Sequence, residues 1–314
     1  MNSFRFLFGP VNSRRYGRSL GVDLAVPKTC TFNCRFCQLG PTPRTTVTRA
    51  DAPPIGEVVA ELRQWLASST QPADFITASG SGEPTLHTRF GDLFRFVRAE
   101  TPCRSLLLSN GSLFFLPEVR RDAALADVVK VSLHAWDQAS FERVARPHPS
   151  LRLGAIVDGY RAFRQQFAGR LDLEVFIIPG INDADEQAQR IAALAESFAP
   201  DAITLNTAVR PPADSGVTAC PPERLRALAA FFGPAAHVSG AEPPTAPIEL
   251  TEAALIALVS RHPVSLPALA ATFHKTEAEM RTFLDPLVRR ESLHLFESQN
   301  VLFAGPSQKH VAGA

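Results

Sequence analysis

Three cysteines, Cys30, Cys34 and Cys37, stand within eight residues in the spacing C-x-x-x-C-x-x-C. One short loop brings three such thiols together, and their chemistry suits an iron–sulfur cluster or a zinc ion. Thiolates usually fill all four corners of a four-iron cluster, so a set of three leaves one iron open to a further ligand. Structural zinc sites more often use paired C-x-x-C units or a mixture of cysteine and histidine, so the spacing favours iron–sulfur.

A second candidate segment, Gly80-Ser81-Gly82-Glu83-Pro84, follows a strand predicted over 74–79. Small residues let backbone groups approach a ligand closely, although glycine and proline also mark ordinary turns. Further polar candidates stand at or just after the ends of later predicted strands: Asn110, Ser132, His134 and Asn206. His134 also suits an acid/base role, because the ordinary pKa of histidine lies near physiological pH.

The elements that must position these residues alternate regularly. Apolar runs predict strands over 20–26, 74–79, 105–109, 128–133, 171–178 and 202–206, with helices between them. This alternation predicts a parallel α/β sheet with its functional groups after the strands, as in a barrel or an open doubly wound sheet. No G-x-G-x-x-G follows the first strand, which argues against the dinucleotide-binding form. Asp183 is predicted to cap the helix over 185–198.

The C-terminal part of the chain has a different pattern. Prolines punctuate a predicted linker over 234–250, and residues 307–314 are predicted to form a frayed tail. Three short helices and a hairpin over 251–306 resemble a winged helix-turn-helix. The candidate recognition helix, over 277–290, mixes acidic with basic side chains, which makes it a poor match for a phosphate backbone. We therefore expect protein docking or substrate presentation rather than DNA binding.

Composition narrows the functional classes further. The 314 residues carry a formal net charge of +1, so no global basic field indicates a polyanionic partner. Five cysteines, three of them clustered, predict a reducing cytoplasm rather than a disulfide framework, and we interpret Cys103 and Cys220 as structural. The chain shows neither a signal-peptide pattern nor an apolar run of membrane-spanning length, so we expect no membrane partner.

The cysteine spacing, with Phe36 before the third cysteine, and the Gly-Ser-Gly-Glu segment one strand–helix unit later resemble the signature of the radical S-adenosylmethionine (SAM) superfamily. The resemblance implies a partial, six-stranded (β/α) barrel over residues 1–233, including an irregular N-terminal arm. It also implies a [4Fe-4S] cluster on Cys30, Cys34 and Cys37. In that superfamily an electron from the cluster cleaves SAM, and the resulting 5′-deoxyadenosyl radical abstracts hydrogen from a substrate.

The same resemblance implies which residues contact SAM. The Gly80–Glu83 segment would bind the methionine ammonium, with Glu83 supplying a carboxylate or bracing the loop. Asn110 would contact the carboxylate or ribose, Ser132 and His134 would face the ribose, and Pro179 and Asn206 would line the adenine. The full set of implied SAM contacts is Phe36, Gly80, Ser81, Gly82, Glu83, Asn110, Ser132, Pro179 and Asn206.

At the level of a branch, residues 8–23 and 28–40 resemble the wyosine-base synthases, which modify a guanosine of tRNA. No cysteine precedes Cys30, so the second cluster of those synthases is not expected here. An RNA base, a small metabolite and a peptide remain open as substrates. Arg14, Arg15 and Arg210 are candidate substrate contacts, since arginines grip phosphates and carboxylates. The resemblance implies reduced flavodoxin or ferredoxin as electron donor. The alternative function is a metal- or cluster-sensing DNA-binding regulator.

Overall fold

The computed structural model describes residues 4–13, 16–25, 27–69, 73–238, 250–259, 263–298 and 301–306. Its larger part is one sheet with helices packed between successive strands. The strands of this sheet are β1 (Leu7–Ser13), β2 (Gly17–Val22), β3 (Phe75–Ala78), β4 (Arg104–Leu108), β5 (Val128–Ser132), β6 (Arg170–Phe176), β7 (Ala202–Asn206) and β8 (Ala236–Val238). The helices are α1 (Ile55–Ser68), α2 (Phe90–Glu100), α3 (Pro117–Ala123), α4 (Gln138–Ala145), α5 (Leu153–Gln166), α6 (Asp185–Glu196) and α7 (Pro222–Ala229).

The strands lie in the sheet in the same order as in the chain, from β1 to β8. β1 pairs antiparallel with β2, and every later neighbouring pair is parallel. A doubly wound sheet would reverse its strand order at a switch point, whereas a sequential order is that of a barrel wall. The six predicted strands correspond to β2–β7, and the prediction of a mostly parallel α/β sheet is confirmed.

Burial explains why these segments form strands and helices. All four residues of β3 are buried, as expected for a strand covered on both faces. In α2 the buried side chains recur at helical spacing, from Phe90 through Leu93 and Phe94 to Val97, and they pack against the sheet. The ends of the parallel strands are therefore rigidly placed, and the loops that follow them meet at one edge.

Three local predictions differ from the structure. Residues 7–13, predicted as part of an irregular arm, form the edge strand β1, with a bulge between Phe8 and Val11. β8 lies inside the predicted linker over 234–250, and residues 239–249 of that linker fall outside the described residues. Asp183 does not cap α6: its carboxylate accepts from the Gly180 amide at 2.7 Å, and Ala184 is the cap residue.

A second, smaller core is built by the C-terminal elements. They are α8 (Glu252–Val259), β9 (Val264–Ser265), α9 (Leu266–Phe273), α10 (Glu277–Arg289), β10 (Leu293–Ser298) and β11 (Val301–Pro306). β11 lies between β10 and β9, antiparallel to both. Thr276 and Glu279 form a capping box at the start of α10, which continues through Pro286. The three predicted helices and the hairpin are thus present.

Within the described residues, none of the helices has the length and apolar character needed to cross a bilayer.

Candidate active site

The three clustered cysteines lie on a loop that follows β2, which we call the cysteine loop (residues 27–41). Its thiols are partly buried. The Cys37 amide donates to the Cys34 carbonyl oxygen at 3.2 Å, and this bond turns the chain between the two cysteines. The loop therefore starts at the C-terminal edge of the sheet. Functional groups gather at this edge in barrel-type α/β folds, so the placement matches the expectation from sequence.

Burial and mutual repulsion both disfavour free thiolates in this loop. Burial raises the pKa of the Cys30 thiol to about 12, and the Glu83 carboxylate adds to that rise. Burial also raises the pKa of Cys34, with further increases from Cys30 and Cys37. Metal coordination deprotonates thiols outright. Cys30 and Cys34 are thus soft donors that stay protonated in the metal-free loop and would lose their protons to bind metal.

The arrangement of the donors fits a polynuclear cluster. In the part of the chain that the structure describes, no three His, Cys, Asp or Glu side chains converge on one point as a single metal ion requires. A [4Fe-4S] cluster gives each thiolate an iron of its own, so its ligands stand apart around the cluster. Three thiols without a fourth cysteine or a histidine in the loop therefore fit an iron–sulfur cluster better than a structural zinc ion, which takes four protein ligands.

Two flanking segments fix the shape of the cysteine loop. On one side the amides of Asn33 and Arg35 donate to carbonyl oxygens at the end of α4, at 3.1 and 3.2 Å. On the other side Asp214 accepts from the Arg35 guanidinium at 2.8 Å and from Arg146 at 2.9 Å. The Asp214 amide also donates to the Arg35 carbonyl oxygen at 2.9 Å. Both flanks come from far along the chain, and they hold the loop rather than bind metal.

The Gly80–Glu83 segment packs directly on the cysteine loop. The Glu83 amide donates to the Thr29 carbonyl oxygen at 2.9 Å, and a β-carbon on Gly82 would stand 1.8 Å from that oxygen. Gly80 has φ +139°, and a β-carbon there would overlap the Asp23 carboxylate. Asp23 in turn accepts from the amide and hydroxyl of Ser81 at 3.0 and 2.6 Å. Both glycines are therefore required by close approach, and the segment is not an ordinary surface turn.

Glu83 braces this segment. Its carboxylate is fully buried and accepts from the amide and hydroxyl of Thr85, from the Ser109 hydroxyl and from the Asn110 amide, at 2.6 to 3.0 Å. Burial raises its pKa although the four hydrogen bonds act in the opposite direction. Of the two roles predicted from sequence, the geometry supports bracing over direct contact with a ligand.

Asn110 reaches the cysteine loop from the end of β4. Its side-chain nitrogen, Nδ2, lies 2.8 Å from the Thr31 hydroxyl and 3.6 Å from the Cys30 sulfur. Its side-chain oxygen accepts from the Ser112 amide at 2.9 Å, which fixes the orientation of the amide group. A donor aimed at a cysteine sulfur in this way would orient that side chain and tune a metal bound to it.

An aromatic cluster forms around Phe36, the residue before the third cysteine. Phe36 stacks on Phe176 with ring centroids 4.1 Å apart and meets the edge of His134 at 4.8 Å. The Phe176 amide donates to His134 Nδ1 at 2.8 Å, so the neutral ring carries its proton on Nε2. Burial lowers the pKa of His134 to about 4. His134 is consequently a neutral hydrogen-bond donor near pH 7, which argues against the general-base role considered from sequence.

Polar groups on the next three strands complete this edge. Lys130 on β5 forms an ion pair with Glu174 on β6. Glu174 also accepts from the side-chain Nδ2 of Asn206 on β7 at 2.7 Å. Ser132 lies beside Glu174 in the register of β5 and β6. Pro179 precedes Gly180, whose φ of +73° makes the turn after β6. The predicted residues of β5–β7 thus share one edge with the cysteine loop.

The structure describes one of the three candidate substrate arginines. Arg14 and Arg15 lie outside the described residues. Arg210, in contrast, donates to Gln38 of the cysteine loop at 2.7 Å.

The two remaining cysteines have partners outside the cysteine loop. The Cys103 thiol donates to the Ala73 carbonyl oxygen at 3.2 Å, at the opposite edge of the sheet. Cys220 is buried, with its amide bound to the Thr207 hydroxyl at 2.7 Å.

Sequence reasoning missed two buried polar residues that shape the site. Asp23 holds Ser81, as described above. Asn182 is fully buried and donates to the carbonyl oxygens of His134 and Phe176 at 2.9 and 2.8 Å, while it accepts from the Ile178 amide at 2.7 Å. Asp23 had a visible signal, a carboxylate inside an apolar strand. Asn182 had none, because a polar residue in a loop after a strand is ordinary and its partner His134 lies 48 residues away.

Comparisons with known proteins agree with this geometry. A UPF0026 protein of Helicobacter pylori is 33% identical over 265 residues, which cover 82% of this chain and 85% of that protein. A protein of Brachyspira hyodysenteriae named GTPase Obg is 31% identical over 90% of this chain, and the chain spans only 42% of it. A probable dual-specificity RNA methyltransferase RlmN of Carboxydothermus hydrogenoformans is 26% identical over 57% of this chain and 52% of that protein.

Solved structures support the fold. The crystal structure of a radical SAM methyltransferase from Sphaerobacter thermophilus superposes with a TM-score of 0.51 and 21% identity, over 70% of this chain and 65% of that chain. None of these relatives is named as a wyosine-base synthase, so the prediction of that branch is not supported. The model of the family described as "Radical SAM superfamily" matches residues 25–193. The chain therefore belongs to the radical SAM superfamily and is an enzyme of that class, which uses a [4Fe-4S] cluster and SAM.

Proposed function

We propose that Cys30, Cys34 and Cys37 hold the [4Fe-4S] cluster and that SAM binds in front of them at the C-terminal edge of β2–β7. When bound, the cluster supplies the electron that cleaves SAM to methionine and a 5′-deoxyadenosyl radical, which abstracts hydrogen from the substrate. The observation that carries the proposal is the direct seating of the Gly80–Glu83 segment on the cysteine loop. In the proposal, that contact brings small residues and backbone groups beside the one iron that lacks a thiolate.

The residues around this position have distinct tasks in the proposal. Gly80, Ser81 and Gly82 present backbone to the methionine part of SAM, while Asp23 and Glu83 hold that backbone still. Asn110 and Ser132 present polar groups to the carboxylate and ribose. Phe36 supplies an aromatic wall, and Pro179 and Asn206 line the far side, where the adenine would lie. His134, neutral with its proton on Nε2, donates a hydrogen bond and does not take up a proton near pH 7.

We further propose an RNA base as the substrate class. The RlmN relative is named as an RNA methyltransferase, which favours RNA over a small metabolite or peptide. The formal charge of +1 argues against tight, nonspecific binding of a polyanion, so recognition would depend on a folded RNA and a flipped-out base rather than on charge alone. Arg210 lies beside the cysteine loop and contacts a phosphate in this proposal, since its hydrogen bond to Gln38 keeps it at the edge where the substrate would arrive.

The C-terminal elements fit a winged helix-turn-helix, with α10 as the recognition helix and β10–β11 as the wing. Glu277, Glu279 and Asp285 stand on α10 among Arg281 and Arg289. This mixture disfavours the regulator alternative, in which α10 would track a DNA backbone. We propose that this module presents the substrate or docks a protein. The electron donor in the proposal is reduced flavodoxin or ferredoxin.

The test is anaerobic reconstitution with iron and sulfide, followed by dithionite and SAM. We expect broad iron–sulfur absorption and release of 5′-deoxyadenosine from the wild-type chain, and loss of both in Cys34→Ala. Cys103→Ala, which removes a thiol from the opposite edge of the sheet, is the matched control and should retain both. A colourless wild-type protein that holds stoichiometric zinc would overturn the proposal.

The substrate class is tested separately. RNA from a deletion strain is incubated with reconstituted enzyme, SAM and dithionite, and its nucleosides are compared with untreated RNA by mass spectrometry. A nucleoside whose mass changes only with active enzyme supports an RNA substrate. Unchanged nucleosides, together with a changed small metabolite in extracts, would overturn it.

A further inference from the structure

Lys28 is a charged residue of the cysteine loop to which the sequence assigned no role. Its ammonium nitrogen lies 3.7 Å from the Cys37 sulfur. The same nitrogen lies 3.1, 2.5 and 3.1 Å from the carbonyl oxygens of Leu39, Gly40 and Pro41. One ammonium with three hydrogens therefore sits among four acceptors, three of them backbone oxygens immediately beyond the third cysteine.

The residue type itself is informative. The chain contains four lysines and 28 arginines, so positive charge in this protein is almost always arginine. Four acceptors grouped around one atom suit a compact ammonium, whereas the planar fork of a guanidinium spreads its donors over a wider area. Lys28 thus stands where the loop demands a point charge, and a solvated surface lysine would not make these contacts.

We propose that Lys28 is a positioning residue that raises the reduction potential of the cluster by holding a fixed positive charge against Cys37. The inference rests on the proposed function, because it requires the cluster to bind the three cysteines. Uptake of one electron adds one negative charge to the cluster, and a nearby ammonium stabilises the reduced form more than the oxidised form. Net charge and hydrogen bonds at the sulfurs are among the factors that set such potentials.

The carbonyl contacts give Lys28 its second task. By donating to three oxygens of residues 39–41, the ammonium is fixed in place and cannot swing into solvent, so its charge remains beside Cys37. The same contacts close the turn after the third cysteine. Loss of the side chain should therefore affect cluster retention through the turn and electron uptake through the charge, and these two effects can be measured apart.

The experiment uses the reconstituted full chain and an EPR-monitored redox titration, with and without SAM, alongside iron and sulfide content. Lys28→Met and Lys28→Gln remove the charge, and Lys28→Arg keeps it. Lys275→Met, an exposed lysine of the C-terminal elements, is the matched control for loss of one positive charge. We expect the midpoint potential of the loaded Lys28→Met and Lys28→Gln proteins to become more negative. Lys28→Arg, which keeps the charge but fits the four acceptors less well, should shift less, and Lys275→Met should stay at the wild-type value.

The outcomes separate this inference from the proposed function. If the loaded fraction of Lys28→Met titrates at the wild-type potential, the inference is overturned, even where iron content falls. If Lys28→Arg shifts as far as Lys28→Met, charge is not the cause and the inference is also overturned. If the wild-type chain binds no cluster, the proposed function itself has failed. Lys28→Gln keeps the titration informative where Lys28→Met does not load.

Discussion

Gly82 and Thr29 lie so close that a β-carbon on Gly82 would stand 1.8 Å from the Thr29 carbonyl oxygen. No rotamer change relieves this overlap, because the backbone fixes the position of the β-carbon and the Thr29 oxygen is itself a backbone atom. The contact joins the small-residue segment after β3 to the cysteine loop after β2. It therefore sets the distance between the proposed SAM backbone contacts and the proposed cluster ligands.

The first prediction follows from this contact. Gly82→Ala should push the two loops apart, destabilise the chain by about 1–3 kcal/mol and lower both iron content and SAM affinity. Thermal unfolding, iron analysis and equilibrium binding of SAM measure the three effects. Gly154→Ala, at a helical position where a β-carbon meets nothing within 4 Å, is the control and should be neutral or stabilising. Full iron loading of Gly82→Ala would contradict the prediction.

The second prediction concerns pH. The pKa of His134 is lowered to about 4 in the folded chain, against an ordinary value near 6.5. Because the unfolded chain binds the proton more readily, this histidine stabilises the fold fully above pH 6.5, and that stability is lost as pH falls towards 4. The loss is about 3 kcal/mol at most, from 1.36 kcal/mol per pKa unit.

His134→Gln should therefore flatten the fall in unfolding free energy between pH 7 and pH 4.5. Urea unfolding of the apo-protein under argon, at several pH values, measures it. His148→Gln, where the imidazole ring hydrogen-bonds to Ser150 within the same turn, provides the matched substitution. An unchanged pH slope in His134→Gln would show that other groups dominate acid unfolding.

The third prediction concerns Asn182, which joins the ends of β5 and β6. Asn182→Ala leaves two carbonyl oxygens and one amide without their buried partner, so it should cost about 2–4 kcal/mol of unfolding free energy. His134 should also lose its fixed orientation, visible as a changed chemical shift of its ring protons. Gln187→Ala, which removes a single bond to the Ala184 amide, should cost less than about 1 kcal/mol. Equal effects of the two substitutions would count against the argument.

The fourth prediction concerns Asp214, the partner of Arg35 and Arg146. Asp214→Ala should speed hydrogen exchange of amides in residues 207–216 about tenfold, equivalent to about 1.4 kcal/mol of local stability. Mass spectrometry of exchanged peptides measures it, with the β4 peptides as internal reference. Asp158→Ala breaks an exposed pair with Arg161 three residues on and should leave the same peptides unchanged. Unaltered exchange in Asp214→Ala would show that the contacts of Asp214 with Arg35 and Arg146 do not stabilise this segment.

Much of the sheet was predictable because its signals are local. β2–β7 are short apolar runs bounded by glycine, proline or polar residues, and each overlaps its predicted run, although β2 spans Gly17–Val22 rather than 20–26. β1 was not predicted because Gly9 and Pro10 interrupt its apolar pattern. An edge strand tolerates proline, since one side of its backbone needs no partner, and the bulge between Phe8 and Val11 accommodates the interruption.

The chemistry of the site was predictable in type but not in arrangement. The cysteine spacing indicated a cluster, whereas the bracing role of Glu83 depends on Ser109 and Asn110, which lie 26 and 27 residues further along. Asp183 looked like a helix cap because it precedes α6, yet its carboxylate closes the Gly180 turn instead. Such errors arise where a side chain has several possible hydrogen-bond partners and the neighbouring sequence does not show which one it bonds.

The contacts of Arg35 and Asn33 that hold the cysteine loop have a consequence for how the enzyme matures. Arg35 is bound by Asp214, which is made 179 residues later, and Asn33 is bound by residues at the end of α4. A nascent chain that has just released its cysteines from the ribosome lacks both supports. Iron and sulfide should therefore be delivered to a finished, folded apo-protein, and a truncated chain that ends before β7 should have no settled place to receive them.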